Sequence, residues 1–235
     1  MHLKTSLAIL SSLLLPCFSN AWADESPNPE KSLERLLEGN KRFVAGTPVH
    51  PHQNNDYRAS LAAGQKPFVS ILTCADSRVS PELVFDQGLG DIFDCRVAGN
   101  ILDDAVLGSL EYAVEHLHTA LIVVLGHEKC GAVKAAVDGG HAEGHIGQLV
   151  EAIAPAVAEV KGQPGEVLDN AVRANVRRVV KLLSVAGPII SEHVQSGKLK
   201  IVGARYDLAT GSVSLVPMNV EEKASQTPKL TTIAP

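Results

Sequence analysis

Four residues in two short stretches have the types and spacing to hold a metal ion. Cys74 and Asp76 stand in Cys74-Ala75-Asp76-Ser77-Arg78, and His127 and Cys130 stand in Gly126-His127-Glu128-Lys129-Cys130-Gly131. Thiolate, imidazole and carboxylate are the donors that zinc takes in tetrahedral sites. The three-residue spacing of His127 and Cys130 lets both side chains reach one ion where a strand turns into a helix. Cys130 also precedes a helical pattern, and the positive end of a helix dipole favours the thiolate. Cys74 and Asp76, two apart as the chain leaves a strand, point to one side of it. A blander reading makes Cys74 and Cys130 buried apolar fillers and Asp76 with Arg78 a surface ion pair. Spacing alone leaves both open.

A shared site needs two strand ends brought side by side. Phe68–Thr73 is an apolar run that leads into the first stretch, and Ala120–Leu125 leads into the second. The latter is continuously apolar, as in a strand covered on both faces of a parallel sheet. Asn28 and Pro29 start a helix carrying Leu33, Leu36, Leu37, Phe43 and Val44 at helical spacing, and Ser80 is the expected cap of another. Ile92–Val97 reads as a strand and Ala105–Leu117 as a helix. Further helices are expected over Ala132–Val137, Ile146–Val160 and Val167–Val194, then strands over Leu199–Tyr206 and Ser212–Val216. This alternation predicts an α/β domain with a mainly parallel central sheet flanked by helices, which binds ligands at the carboxyl ends of its strands.

The bulk properties agree with an enzyme or a binding module. The chain has 235 residues, 45% hydrophobic and 20% charged, which excludes a disordered polymer. A net charge of −5 speaks against nucleic acid as a partner. Residues 1–23 read as a secretory leader, with Lys4, an apolar stretch over Leu7–Leu15, and Ala21-Trp22-Ala23 before the cut. The stretch is too short to span a bilayer, so no stable membrane insertion is expected. Cys17 would permit a lipid anchor, but Pro16 before it is a poor match. Residues 24–217 then form one domain, residues 218–235 a polar tail, and the protein is expected in the periplasm. Without Cys17, Cys74, Cys95 and Cys130 remain, an odd number that does not close a disulfide framework.

C-A-D-S-R, followed by H-x-x-C-G, resembles the β-class carbonic anhydrases. The resemblance extends over Leu33–Val44, Gly64–Asn100 and Gly108–Val137. It implies that fold, a dimer or higher assembly, and one Zn²⁺ per subunit on Cys74, His127 and Cys130. Asp76 would be a fourth ligand in a closed state, or be drawn off by Arg78 in an open one. The implied reaction is reversible hydration of CO₂ to bicarbonate and a proton through zinc-bound hydroxide. Gln65, nine residues before Cys74, would bind a substrate oxygen, and Gly131 would also contact substrate. Phe93 and Tyr112 would line the CO₂ pocket from the neighbouring subunit of a homodimer or homotetramer. One subgroup has a bicarbonate-responsive switch that needs a tryptophan three residues before the first cysteine. Ile71 stands there, and Trp22 is the chain's single tryptophan, which implies the open type.

Two other functions fit these motifs: hydrolysis of carbon disulfide or carbonyl sulfide on the same scaffold, and a non-catalytic zinc-binding module. Cys95 is expected to be a buried, inert thiol rather than half of a disulfide between chains. His50 with His52, and His141 with His145, read as solvated loop residues rather than a second metal site. The group that exports the proton is not legible.

Overall fold

The computed structural model describes residues 28–139 and 142–218. The leader expected at residues 1–23, and all but Met218 of the tail, lie outside the described residues, as does His141. Strands β1 (Val69–Thr73), β2 (Ile92–Arg96), β3 (Leu121–His127) and β4 (Lys200–Tyr206) run parallel, and the short β5 (Val213–Leu215) pairs antiparallel with β4. Their order is β2-β1-β3-β4-β5. The chain leaves β1 for one neighbour and returns to place β3 on its other side. Strand order therefore reverses between β1 and β3, where the carboxyl ends of an open sheet leave a crevice.

Every residue of β1 and β3 is buried, as their apolar runs predict. Alternate side chains feed opposite layers. Leu72, Ile122 and Val124 meet Leu110 and Val114 of α4 (Asp104–Leu117) and Val176, Val179 and Val180 of α7 (Val167–Val185). Ile71, Leu121, Val123 and Leu125 face the other way, onto Leu36 of α1 (Pro29–Val44) and Val84 of α3 (Pro81–Val84). The Asn28 side chain accepts from the Lys31 amide at 3.0 Å, so α1 starts where the Asn-Pro pair places it. Gly126 and Gly203 let α7 sit close to the sheet: a Cβ on either would come within 2.6 Å of a Val176 methyl.

Three expectations need correction. The helix read over Val167–Val194 is two, α7 and α8 (Ile189–Gln195), because Pro188 lacks an amide hydrogen and its ring clashes with the preceding turn. Ser80 occupies the N-cap position of α3, but its side chain makes no capping hydrogen bond. β3 extends two residues beyond Leu125, through the closely packed Gly126 to His127, so the imidazole is fixed by the sheet itself. The chain also holds a short α2 (Asn55–Ser60), capped by Asn54 and too brief at six residues to show helical periodicity. Between β3 and α7 lie α5 (Gly131–Asp138) and α6 (Ile146–Glu159), close to their expected ranges.

Candidate metal centre

Thr73 pairs with Leu125, so Cys74 and His127 emerge from neighbouring strands within two rows of each other. Cys130 follows as the N-cap residue of α5. Sulfur, nitrogen and sulfur converge: Cys74 Sγ, a His127 ring nitrogen and Cys130 Sγ lie within 4.8 Å of one another, and all three residues are buried. Disulfide formation does not compete, since Cys74, Cys95 and Cys130 are all free thiols.

Each donor is held by a nearby partner. His127 Nδ1 lies 2.9 Å from the Glu128 carbonyl, which accepts from it and leaves the Nε2 lone pair pointing away. Nε2 is fully buried and has no hydrogen-bond partner. An orphaned imidazole nitrogen facing two sulfurs is costly unless a cation occupies the space between them. The Gly99 amide donates to Cys74 Sγ at 3.3 Å. A hydrogen bond from the Cys130 thiol is the main influence lowering the Cys74 pKa, while that bond, burial and the Cys74 charge raise the pKa of Cys130. The pair thus ionises once readily, and the second proton leaves when a cation supplies positive charge. The donor set fits zinc.

Asp76 stands beside this group, its Oδ2 3.8 Å from His127 Nε2. Arg78 holds it in a two-pronged pair, Nε to Oδ1 at 2.9 Å and Nη2 to Oδ2 at 2.7 Å, and the Arg78 amide adds a third bond at 2.9 Å. These bonds, led by the guanidinium, hold the Asp76 carboxyl well below the usual carboxylate range. The carboxylate is therefore committed to Arg78.

Sequence reasoning missed part of the support. Arg96, the last residue of β2, donates to the Cys74 carbonyl at 3.3 Å and the Asp76 carbonyl at 2.7 Å, tying down the backbone between ligand and carboxylate. Asn175 of α7 donates to the Gly99 carbonyl at 2.8 Å, fixing the turn that reaches Cys74. The available signals were an arginine closing a strand and a glycine in the tripeptide after it; Gly99 has φ +73°.

Other expected site residues do not join the cluster within one chain. Gly131 begins α5 beside Cys130, exposed and with open space where a Cβ would stand. Gln65 lies four residues before β1, at the opposite end of that strand from Cys74. Phe93 sits near the start of β2, three rows from the Thr73–Arg96 pair, with its ring 6.3 Å from Tyr112 on α4. Tyr112 is 48% exposed. Cys95 is buried, and burial followed by the charge of Asp94 pushes its thiol up to about 11, as expected of an inert sulfhydryl.

Residues 69–213 match the family model described as Carbonic anhydrase. Carbonic anhydrase 2 of Mycobacterium tuberculosis is 48% identical over 192 residues, covering 80% of this chain and 93% of its relative. The chain belongs to the β-class carbonic anhydrases. Solved members agree with its fold. A tetrameric β-carbonic anhydrase of Sordaria macrospora, 25% identical, superposes with a TM-score of 0.64 over 79% of this chain and 97% of its own. The Coccomyxa β-carbonic anhydrase in complex with acetazolamide, 30% identical, gives 0.63 over 78% and 86%. The Cys-His-Cys cluster and the Asp76–Arg78 pair of this carbonic anhydrase lie within the matched residues.

Proposed function

We propose that this protein hydrates CO₂ reversibly to bicarbonate and a proton, using one Zn²⁺ per subunit held by Cys74, His127 and Cys130. The orphaned Nε2 of His127 facing two convergent thiols carries the reading. Bound there, zinc supplies a Lewis acid that lowers the pKa of water toward about 7. The chain supplies the rest. Two thiolates with a neutral imidazole balance the dication, and Arg78 keeps Asp76 from adding a third negative donor. Asp76, fixed as an acceptor, orients the attacking water, and Gly131 leaves space for substrate.

The remaining pocket residues belong to a partner copy in this reading. β2 is an edge strand, and Phe93, Tyr112 and His116 form an aromatic strip along it, with Tyr112 and His116 ring centroids 5.2 Å apart. An edge carrying exposed aromatic surface is suited to a second copy. Gln65, Phe93 and Tyr112 would then complete the neighbouring centre of a homodimer, or of a tetramer as in the Sordaria relative. Among the described residues no helix is long and apolar enough to cross a membrane. With residues 1–23 as a secretory leader, the enzyme works in the periplasm.

Stopped-flow CO₂ hydration by the zinc-loaded protein, from about pH 6 to about pH 9, tests the assignment. Activity that rises with pH and is abolished by acetazolamide is expected. Background rates with zinc fully bound would mean a non-catalytic module, and turnover of carbon disulfide without CO₂ hydration would mean the sulfur-substrate hydrolase.

A further inference from the structure

Outside the metal centre, one histidine is set up as a base. A cavity of about 590 Å³ is lined by Gln65, His52, Tyr57, Asp91, Arg35 and Lys66 among others. His52 Nδ1 lies 2.8 Å from Asp91 Oδ2. Asp91 is nearly buried, with 6% of its side chain exposed. It already accepts from Arg35 Nη2 at 2.7 Å on Oδ1 and from the Gly88 amide at 2.9 Å on Oδ2. A carboxylate ringed by donors acts as an acceptor, so Nδ1 of His52 is the donor and Nε2 carries the free lone pair. The ring also lies flat on Tyr57, with centroids 4.0 Å apart and planes 6° from parallel. Orientation is thus fixed at one nitrogen and one face, while 35% of the side chain stays open to solvent.

We propose that His52 is the proton-relay residue of this carbonic anhydrase, taking the proton that CO₂ hydration releases and passing it to buffer. The proposal rests on the reading that Gln65 serves the partner subunit's centre, because Gln65 and His52 line the same cavity and the cavity then adjoins that centre. The balance is simple. CO₂ and water give bicarbonate and one proton; solvent in the cavity delivers the proton to His52 Nε2, and the imidazolium returns it from Nε2 to a buffer base. No bond to carbon is made. Asp91 keeps hold of Nδ1–H throughout, so the proton is exchanged at Nε2 alone. Arg35 is engaged by Asp91, by Gln87 and by the face of Phe68 at 3.9 Å, and Lys66 is exposed on the cavity wall.

The test uses His52→Asn in the zinc-loaded protein. Asparagine tolerates the left-handed backbone at this residue (φ +57°) and still reaches Asp91, so the loop is retained. At low buffer concentration kcat should fall at least tenfold, with kcat/KM for CO₂ unchanged, and imidazole buffer should restore it. Nitrogen-15 NMR of the wild-type protein should show His52 as the Nδ1–H tautomer, a readout independent of turnover. An unchanged kcat, a joint fall of kcat and kcat/KM without imidazole rescue, an Nε2–H tautomer, or the same loss in His50→Asn would each overturn the proposal. Wild-type protein without CO₂ turnover would overturn the hydration reading as well; active wild-type with an unresponsive His52→Asn overturns the relay alone.

Discussion

Cys130 and Asp76 lie within a few ångströms of each other's neighbours yet do different work. The sulfur of Cys130 is one of three buried donors, whereas Asp76 is tied to Arg78 and, in the proposed mechanism, contributes orientation and charge. Cys130→Ser should therefore lose zinc, weakening affinity by roughly a hundredfold or more. Asp76→Asn should keep its zinc and lose at least tenfold in kcat. Metal content by atomic absorption beside turnover checks both, and equal behaviour of the two variants would refute the division of roles. Asp94 carries the other residue-scale prediction. Burial, then the charge of Glu82, pushes its carboxyl up to about 7 against the pull of Arg96, and its Oδ1 is buried without a partner. Between about pH 4 and about pH 7 the folded chain holds a proton there that the unfolded chain has lost, so this group's contribution to stability declines as pH rises through that window. Asp94→Asn should raise the melting temperature by a few degrees at about pH 8 and leave it nearly unchanged at about pH 4, as calorimetry would measure.

The elements that present these residues depend on close packing as much as on pattern. Val176 of α7 sits over Gly126 of β3 and Gly203 of β4, and neither position has room for a methyl group. Gly203→Ala should lift α7 off the sheet and cost about 1–3 kcal/mol, read as a lower denaturant midpoint, while leaving all three metal donors in place. β3 was legible because a strand buried on both faces calls for an unbroken apolar run, which Leu121–Leu125 supplies. β1 keeps only Val69, Ile71 and Leu72 apolar, and its buried Ser70 and Thr73 are satisfied by the Thr119 hydroxyl and the Leu125 carbonyl. The division of α7 from α8 was missed because apolar residues continue at helical spacing on both sides of Pro188. α5 was legible as an element and Cys130 before it as a candidate donor; the convergence of both thiols and the imidazole within 4.8 Å was decided by the pairing of β1 with β3.

At the scale of the molecule, one subunit holds its donors at one end of the sheet and Gln65, Phe93 and Tyr112 away from them. β1 alone spans roughly 17 Å, and Gln65 precedes it while Cys74 follows it. Sites shared between subunits, as proposed, make a complementation test decisive. Cys130→Ser and Gln65→Ala subunits, each deficient alone, should regain activity when unfolded and refolded together. One site per mixed dimer is then complete, which gives about a quarter of the wild-type rate for random pairing. No recovery would place Gln65 in service to its own subunit or to none.

The sequence by itself determined the two half-sites, the α/β class and the sheet's fully buried strands, because thiol, imidazole and apolar periodicity are properties of residues read along the chain. It also carried enough of the family's pattern to name the chemistry. Tertiary structure alone decided what depends on neighbours from distant segments. It left His127 Nε2 buried without a hydrogen-bond partner. It tied the Cys74–Asp76 backbone to Arg96, and it paired His52, which spacing left as a loop histidine, with a buried carboxylate 39 positions away. Hydrogen bonds across such separations follow from how strands and helices pack, and no local pattern records them.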